Sequence, residues 1–465
     1  MRNIFKLRLI ISNAVIRRNS HTFQRIADIL NGQKQNDKYT SVKGWVRAIR
    51  KMKDNIFVDI DDGSSTKRLQ VVVGKSFGVD IDYGCSVEAK GQLGEAPSGQ
   101  PEMRAEEIKI LGAGQLQEGY PFAPRKSYSP DYCRQYLHLR PRLAHYASVL
   151  RVRDAASLAF REFFKSHNYF EVHTPILTSN DCEGAGEVFK VSEEKTSKEN
   201  EPFFDKNIYL TVSAQLHLEV VARSLSQVYC FAPTFRAENS KSRFHLAEFY
   251  MLEAETTLAK SLNDLTSFTE EMLRYVINSI RNTNEQDINL CRQRFSESKF
   301  KLEDSLVSKW TVMSYEEASK ILSEHKSSLK VIHSPGTSLT KDHELFLTNF
   351  NGNKPIFIVD WPVNLKPFYM KINENHSNIV EAFDLLFPNV GEICGGSLRE
   401  NDIKRLSTSI ENYNGLEWYL DLRKFGNVLT GGFGLGFDRL LMSLLNISNI
   451  KDTIPFPRFP HHCQL

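Results

Sequence analysis

The most constraining feature of the sequence is a series of short strands between residues 42 and 111, with no helical period longer than a few residues. In Val42–Ala48, small or apolar residues alternate with polar or bulky ones, and Ile56–Ile60 ends at the turn Asp61-Asp62-Gly63. Three further strand-like runs follow, at Leu69–Val73, Ser86–Leu93 and Met103–Leu111. Five short strands joined by turns predict a small closed barrel, because closing the sheet leaves no unpaired edge.

A barrel of this size, which we assign to residues 40–112, fits an OB-fold, whose open face often carries nucleic-acid bases on aromatic side chains. Trp45 and Phe57 can serve as such platforms, and basic residues lie near them at positions 47, 50, 51 and 53. These cations would meet phosphates. The alternative is that Trp45 or Phe57 belongs to the barrel core.

Composition excludes several classes of protein. With 41% hydrophobic and 25% charged residues, the 465-residue chain has the balance of a folded globular protein and not of a disordered or collagen-like one. The seven cysteines are scattered and form no Cys-x-x-Cys pair, which indicates reduced thiols and neither a disulfide framework nor a zinc site. No run reaches the ~18 apolar residues of a membrane span, so a membrane is not an expected partner.

The first 27 residues are basic: they contain six Lys or Arg residues and no Asp or Glu, whereas the rest of the chain has 53 basic and 56 acidic residues. An arginine-rich leading segment without acids, with Ser12, Ser20 and Thr22 along it, is typical of an organellar transit peptide. We therefore predict a mitochondrial transit peptide at residues 1–27 and a location in the mitochondrial matrix. A frayed basic terminus or a short amphipathic surface helix is the alternative.

Residues 113–145 contain repeated Gly and Pro and more basic than acidic residues, which predicts a hinge. From residue 146 to residue 465 the patterns alternate irregularly, with a helical period in Leu150–Asn168 and two strands, Val228–Phe235 and Phe249–Leu252, around a polar loop. This predicts an α+β domain with a mainly antiparallel sheet flanked by helices. Residues 283–345 are polar and helix-prone, and we expect a peripheral insertion there without a chemical role.

Several familiar nucleotide and hydrolase motifs are missing from the sequence. There is no GxxxxGK[ST], HExxH or GxSxG, and the glycines at 431, 432, 434 and 436 miss the GxGxxG spacing. If a nucleotide is bound, arginines and acidic residues must hold it. Three segments supply them: the stretch from Phe235 to Phe249, the group Asp384, Glu392 and Arg399, and the stretch Gly431–Arg439.

In this order the segments resemble the class II aminoacyl-tRNA synthetases. Motif 1 is similar to Phe160–Leu177, motif 2 to Thr234–Phe249 and motif 3 to Gly431–Arg439. The resemblance covers nearly everything after residue 40, including an OB-fold placed N-terminally as in the aspartyl/asparaginyl/lysyl subgroup, and it is strongest to mitochondrial asparaginyl members. The class I signatures HIGH and KMSKS are missing. The resemblance implies ATP-dependent activation of an amino acid, its transfer to the 3′ end of a tRNA, and a homodimer formed through motif 1.

The resemblance also implies roles for residues that bind ATP. Arg236 would hold the α-phosphate and the amino-acid carboxylate, and Glu238 would contact ATP or the acceptor end. Phe249 would stack on adenine, while His245 and Arg439 would reach the β- and γ-phosphates. Arg236, Glu238 and Arg439 are therefore the expected catalytic residues, which act by positioning and charge stabilisation without a covalent nucleophile.

A pair of carboxylates is expected to hold Mg²⁺ between phosphate oxygens. By resemblance these are Asp384 and Glu392, the latter also an ATP-binding residue. One position departs from the family pattern: in many relatives a basic residue immediately precedes the motif 2 loop histidine, whereas here Phe244 precedes His245. Adjacent Arg243 is the candidate that could replace the missing phosphate contact.

The expected amino-acid-binding residues begin with Glu183, in a segment that resembles the mobile loop closing on the substrate ammonium, and Gln215, which would help to hold that group. Arg399 can donate two hydrogen bonds to a side-chain carbonyl, whether carboxylate or amide. It therefore cannot separate aspartate from asparagine.

The second polar atom of the substrate side chain separates the two amino acids, because a carboxylate needs another cation and an amide NH₂ needs an acceptor. Aspartyl enzymes place a lysine where this chain has Leu218, and Glu219 and Glu253 are the expected acceptors, as in asparaginyl enzymes. We therefore predict asparagine as the substrate and tRNA(Asn) as the partner. The alternative for Glu219 is a solvated helix residue.

Anticodon reading is assigned to the barrel by the same resemblance, with Phe57 stacking on a base and Gln70 and Glu102 on base edges. Two rival functions remain: an aspartate-activating or non-discriminating ligase, and a tRNA-binding paralogue that has lost activation. Retention of the six charged residues proposed for catalysis, Mg²⁺ binding and substrate binding speaks against the paralogue.

Overall fold

The computed structural model describes residues 23–32, 39–179, 187–192, 203–295, 301–410 and 415–465. The chain divides into two compact units, with the boundary between Ala144 and His145. The smaller unit is built on a β-barrel and the larger one on a β-sheet with helices. The predicted α+β class, an N-terminal barrel plus a sheet domain flanked by helices, is confirmed.

The barrel of the smaller unit closes in the strand order β1-β2-β3-β5-β4. Alternation places one face of each strand inside, so that Val42, Val58 and Val71 are fully buried. A side chain at Gly91 would overlap the backbone carbonyl of Arg104, and this close approach of β4 to β5 requires glycine. The strands are β1 Tyr39–Lys51, β2 Asn55–Asp61, β3 Leu69–Gly74, β4 Ser86–Glu95 and β5 Pro101–Gly112.

Two short helices complete the described part of the smaller unit: α1 Ile26–Leu30 and α2 Pro130–Arg134. Helix α2 begins where proline follows a capping serine, and the Ser129 side chain accepts a hydrogen bond from the Tyr132 amide. Nearby, Phe122 is 1% exposed and is surrounded by tyrosine rings at positions 120, 128, 132 and 136. The segment predicted as a hinge therefore contains its own aromatic cluster.

The main sheet of the larger unit has the order β12-β13-β14-β15-β16-β11-β10-β6 in the described residues. The pairs from β13 to β10 are all antiparallel, and the outermost pair on each side is parallel. A smaller sheet has the order β7-β9-β8. The strands are β6 Phe170–Glu171, β7 Leu177–Thr178, β8 Lys190–Val191, β9 Ile208–Leu210, β10 Gln227–Phe235, β11 Glu248–Thr256, β12 Thr311–Ser314, β13 Ile356–Pro362, β14 Ile379–Phe387, β15 Gly391–Leu398 and β16 Gly431–Gly436.

Helices cover the main sheet with apolar faces. On α3, the side chains of Phe160, Phe163 and Phe164 recur at helical spacing and are at most 1% exposed. Burial of each ring contributes about 2–3 kcal/mol to the stability of the fold. None of the described helices is both long enough and apolar enough to cross a bilayer. The helices are α3 Ala144–Ser166, α4 Gln215–Leu225, α5 Leu262–Phe295, α6 Tyr315–Glu324, α7 Lys341–Phe350, α8 Ile403–Ile410, α9 Glu417–Lys424 and α10 Phe437–Leu445.

Residues 283–345, where we expected a peripheral insertion without a chemical role, are built into the larger unit. Helix α5 continues past a kink at Asn284, and β12 adds an edge strand to the main sheet. The first turn of α7 contributes Lys341 and Glu344, which pair with each other, and Glu344 accepts a hydrogen bond from the amide of Glu392, as described below. The edge strand is only four residues long and partly exposed, so its sequence lacks the apolar run that marks a buried strand.

Candidate active site

Two adjoining cavities lie on one face of the main sheet in the described part of the larger unit. The first cavity has a volume of about 260 Å³ and the second about 530 Å³. Arg236, Met251, Glu392 and Gly434 line both cavities. Because Gly434 on β16 pairs with Gly395 on β15, the floor at this point is backbone.

The antiparallel pair β10–β11 builds one wall of the first cavity. Arg236 follows the last residue of β10, and its amide donates to the carbonyl of Ala247 at 3.0 Å. Its guanidinium carbon lies 5.7 Å from the ring centroid of Phe249, which is on β11. The structure thus places a cation and an aromatic face side by side, at the two residues that the sequence analysis assigned to the α-phosphate and the adenine ring.

The loop between β10 and β11 carries His245 into the first cavity. Its Nδ1 lies 2.7 Å from Ser242 Oγ, and its Nε2 lies 3.6 Å from a carboxylate oxygen of Glu238. Burial, followed by the charge of Arg439, lowers the pKa of His245, although Glu238 opposes the shift. The lowered pKa favours the neutral form of His245 in the free protein, and an incoming anion would favour its protonated form.

Arg439, in the first turn of α10, lines the same cavity. Its Nη1 donates to the backbone carbonyl of Glu392 at 3.0 Å and lies 3.9 Å from a carboxylate oxygen of that residue. The preceding residue, Asp438, accepts from Arg153 at 2.5 Å and from the Tyr250 amide at 3.1 Å. These buried bonds fix the start of α10 and hence the direction of Arg439.

Asp384 and Glu392 converge on Gly395. A β-carbon at Gly395 would lie 3.3 Å from Asp384 Oδ1 and 3.5 Å from Glu392 Oε1. Lys366 Nζ is 2.7 Å and 2.6 Å from the two oxygens of Asp384. Burial raises the pKa of Asp384 to about 6 while Lys366 opposes the shift. Burial also opposes ionisation of Glu392, but Arg439 and the nearby lysines hold its pKa below the usual range.

This donor set suits one kind of metal site. The described residues contain no group of three His, Cys, Asp or Glu side chains placed to hold a metal alone. Mg²⁺ differs from zinc in taking one or two carboxylates and completing its shell with phosphate oxygens and water. The converging oxygens of Asp384 and Glu392 fit that requirement.

Gln215 and Glu253 line the second cavity, as predicted for amino-acid-binding residues. Gln215 Nε2 is buried and has no hydrogen-bond partner among the described residues, so it can donate to a bound ligand. Glu253 accepts from Ser213 Oγ at 2.5 Å and from the Ala214 amide at 2.8 Å, and burial raises its pKa.

The guanidinium of Arg399 is held by a carboxylate that sequence reasoning missed. Its Nε and Nη2 donate to Glu255 at 3.1 Å and 2.7 Å, and its Nη1 donates to Ser397 Oγ at 2.8 Å. Both side chains of the Arg399–Glu255 pair are at most 3% exposed. The strand alternation that places Glu253 and Glu255 on one face of β11 is the signal that could have identified Glu255.

The position of Glu219 differs from the prediction. It was expected to accept a hydrogen bond from the substrate, but it is fully buried and does not line the second cavity. Its oxygens lie 2.5 Å from Arg423 Nη1 and 3.2 Å from Arg223 Nη2, and Tyr419 donates to it. Arg223 on α4 and Arg423 on α9 therefore hold the Glu219 carboxylate in the protein interior, away from the second cavity. Glu183 lies outside the described residues.

The barrel brings together the three residues predicted to read the anticodon. Gln70 pairs with Glu102 across β3 and β5, and its amide donates to the Glu102 carboxylate. Arg50 donates to Gln70, and its guanidinium carbon lies 5.8 Å from the ring centroid of Phe57. Trp45 is 39% exposed and Phe57 is half-buried on the outer face, so neither belongs to the barrel core.

Comparison with known proteins places the chain in a family. The family model for class II tRNA synthetases (D, K and N) matches residues 129–460, and the model for the OB-fold nucleic acid binding domain matches residues 40–111. The chain is 42% identical to the asparaginyl-tRNA synthetase of Mus musculus, over 99% of this chain and 98% of that one. It is 40% identical to the mitochondrial asparagine–tRNA ligase of Schizosaccharomyces pombe, over 91% and 94%.

Among solved structures, the chain is similar to asparaginyl-tRNA synthetase from Pyrococcus horikoshii complexed with asparaginyl-adenylate. The TM-score is 0.84 at 30% sequence identity, covering 96% of this chain and all of that one. The predicted family, the OB-fold and the class II catalytic domain are thereby confirmed. The chain belongs to the class II tRNA synthetases of the D, K and N group and is an aminoacyl-tRNA synthetase.

Proposed function

We propose that this protein is an asparagine–tRNA ligase, which activates asparagine with ATP and transfers it to the 3′ end of tRNA(Asn). The observation that carries the proposal is the composition of the second cavity, where Arg399 faces a wall that includes the carboxylates Glu253 and Glu255. Leu218, at the position expected to carry lysine in an aspartyl enzyme, lines the same cavity. The relatives named asparaginyl-tRNA synthetase, similar over nearly the whole chain, support this specificity.

The wall accounts for discrimination against aspartate. Arg399, held by Glu255, donates to the carbonyl of the substrate side chain, and the acidic neighbours accept from its NH₂ group. Aspartate would instead bring a second carboxylate toward buried acids. Polar pockets that leave a group unpaired in the wrong substrate discriminate by ~10⁴-fold. Glu219 does not contact the substrate in this proposal; it pairs with Arg423 and accepts a hydrogen bond from Tyr419, and so has a structural role.

The first cavity supplies the ATP site. Phe249 stacks on adenine, and Glu238, near the start of the motif 2 loop, contacts the nucleotide. Arg439 and His245 lie at the distal phosphates. Arg236, which lines both cavities, bridges the α-phosphate and the amino-acid carboxylate. Asp384 and Glu392 would hold Mg²⁺, which neutralises charge on the phosphate oxygens.

The geometry positions two reactants and needs no enzyme nucleophile. The asparagine carboxylate attacks the α-phosphorus in line, and pyrophosphate leaves. The 3′ hydroxyl of the tRNA then attacks the adenylate carbonyl and releases AMP. Arg236 stabilises the charge that develops in the first step, and Gln215 and the predicted loop residue Glu183 hold the substrate ammonium.

The barrel face of Phe57, Gln70 and Glu102 reads the anticodon in this proposal, with Arg50 orienting the group. For the homodimer, motif 1 offers exposed apolar side chains: Phe170, Ile176 and Leu177 are 55%, 40% and 44% exposed. Such a surface suits a second copy of the chain.

A mitochondrial location rests on two observations. Residues 1–27 are basic and contain no acid, although residues 1–22 lie outside the described part of the chain. Relatives named as mitochondrial come from Schizosaccharomyces pombe and, as a probable asparagine–tRNA ligase 38% identical over 442 residues, from Dictyostelium discoideum. Import of a fluorescent protein fused to residues 1–27 would test this location.

The function is tested by ATP–pyrophosphate exchange with asparagine and aspartate supplied separately, followed by charging of tRNA(Asn). We expect asparagine to support exchange and aspartate to fail. Arg236→Ala should lower the exchange rate by roughly 10²–10³-fold, because it removes one positioned donor. Arg281→Ala, at an exposed position on α5, is the matched control. Equal exchange with aspartate would indicate a non-discriminating relative, and tRNA binding without any exchange would indicate an inactive paralogue.

A further inference from the structure

The first turn of α7 packs against Glu392 and Gly391 with an ion pair that the proposed mechanism does not use. Lys341 Nζ pairs with Glu344, and the same Glu344 carboxylate accepts from the amide of Glu392 at 2.8 Å. A β-carbon at Gly391 would lie 2.8 Å from Lys341 Nζ. The lysine side chain remains 24% exposed. A cation is therefore held beside a residue that lines both cavities.

Phe244, a residue of the motif 2 loop, lies next to this cation. Its ring is 7% exposed and lines the first cavity next to His245. Lys341 Nζ lies 5.7 Å from the ring centroid on one side, and the guanidinium carbon of Arg243 lies 4.7 Å from it. Position 244 is apolar here, although the family pattern has a basic residue at this place, and Lys341 of α7 lies beside it.

We propose that Lys341 is a further ATP-binding residue, whose ammonium contacts the β- or γ-phosphate at the His245 end of the first cavity in place of a basic side chain at position 244. This inference rests on the proposed function of the cavity as an ATP site.

The surrounding charges support this assignment. Arg439 and Arg236 are the other cations near His245, and the acids around it are Glu238, Glu392 and, at the lysine itself, Glu344. Lys341 acts on both His245 and Glu392, since its charge contributes to the lowered pKa of each. An ammonium has three donors on a flexible stem, and Glu344 accepts only from one of them, so others can turn to a phosphate.

A purely structural role predicts different behaviour. If Lys341 only neutralises Glu344, removing both charges together should leave nucleotide affinity unchanged. The variant Lys341→Met/Glu344→Gln removes both charges while the glutamine can still accept from the Glu392 amide. The matched control is Lys320→Met, which removes an exposed lysine on α6.

The experiment measures dissociation constants of ATP and AMP with Mg²⁺ by calorimetry on the full chain, without amino acid. We expect Lys341→Met/Glu344→Gln to weaken ATP binding about tenfold or more, the effect of one charge-assisted contact, and to change AMP binding less than about twofold. Adding Phe244→Arg to that variant should restore ATP affinity to within about threefold of the wild type, because it returns a cation to the same place. Lys341→Arg should stay close to the wild type.

Equal losses of ATP and AMP affinity, no loss of ATP affinity, or no rescue by Phe244→Arg would each overturn the assignment. If thermal melting shows that the double variant is unfolded, Lys341→Gln/Glu344→Gln, which also removes both charges and keeps most of the lysine stem, is compared for ATP and AMP affinity in the same way. ATP-specific loss in a protein that shows no exchange with asparagine would leave Lys341 as a phosphate contact and reject the proposed substrate. The two ideas therefore fail separately.

Discussion

Replacing Glu219 by glutamine tests whether this carboxylate has an anchoring role, in which it holds Arg423, Arg223 and Tyr419 in place, or binds the substrate. The change keeps the shape of the side chain and removes its charge. Glu219 is fully buried, with Arg423 at 2.5 Å and Arg223 at 3.2 Å, and it accepts from the Tyr419 hydroxyl. A glutamine NH₂ would face at least one of these guanidinium groups.

The expected loss of stability follows from these contacts. A hydrogen bond to a charged group contributes about 1.5–3 kcal/mol, and the bonds that Glu219 accepts from Arg223 and from Tyr419 are both weakened here. Breaking one side of a buried ion pair costs about 3–5 kcal/mol, so we expect a loss within that range at pH 7.5. Three of the four tryptophans lie in the larger unit, so urea unfolding followed by their fluorescence reports on it. The midpoint should fall without a change in slope.

The paired variant Glu219→Leu/Arg423→Met removes both charges and should recover part of the lost stability. An anchoring role also predicts that asparagine still supports exchange in the folded Glu219→Gln variant and that aspartate still fails. A loss of stability below about 1 kcal/mol would refute the energetic reasoning, because pairs on the surface contribute that little. A selective loss of asparagine activity in a stable variant would show instead that Glu219 reaches the ligand.

Three other predictions concern the barrel, the acidic pair and the glycines of β16. Phe57→Ala should raise the KM for tRNA by about 10–100-fold, the contribution of one stacked base, while exchange without tRNA keeps its rate. Burial, opposed by Lys366, raises the pKa of Asp384 to about 6, so the folded protein retains a proton that the unfolded chain loses near pH 4. Asp384 therefore contributes fully to the free energy of unfolding below pH 4, and its contribution falls by about 3 kcal/mol between pH 4 and pH 6. Asp384→Asn should abolish this pH dependence of the free energy of unfolding, measured by urea titrations without Mg²⁺. Gly432→Ala would overlap the carbonyl of Ala254 and should lower the melting temperature sharply, whereas Gly436→Ala, whose nearest neighbour would be 3.7 Å away, should melt within a few degrees of the wild type.

Much of the barrel could be predicted because its signals are local. Strand alternation and turn residues fix which side chains face inward, and the register then follows. The pairing of Gln70 with Glu102 unites two residues 32 positions apart, and only the family resemblance suggested that they belong together. The fold was predictable where a pattern of period two repeats over several strands.

The charge partners in the larger unit were not predictable in the same way. Lys366 meets Asp384, and Glu255 meets Arg399 across 144 positions of sequence, through the order of strands in the sheet. Composition shows that such charges exist, but only the sheet topology decides which of them meet. Glu219 illustrates this limit: the family resemblance indicated a substrate contact, but Arg423, from a helix about 200 positions later, pairs with its carboxylate.

The glycine pair Gly395–Gly434 has a practical consequence for ligands. At this crossing the two cavities share main chain bordered by Arg236, Met251 and Glu392, so a compound that joins a nucleoside to an asparagine mimic through a short phosphate-like linker would occupy both cavities at once. Such a bisubstrate compound would lose its rotational and translational freedom once instead of twice, and its affinity should exceed that of either half by several orders of magnitude.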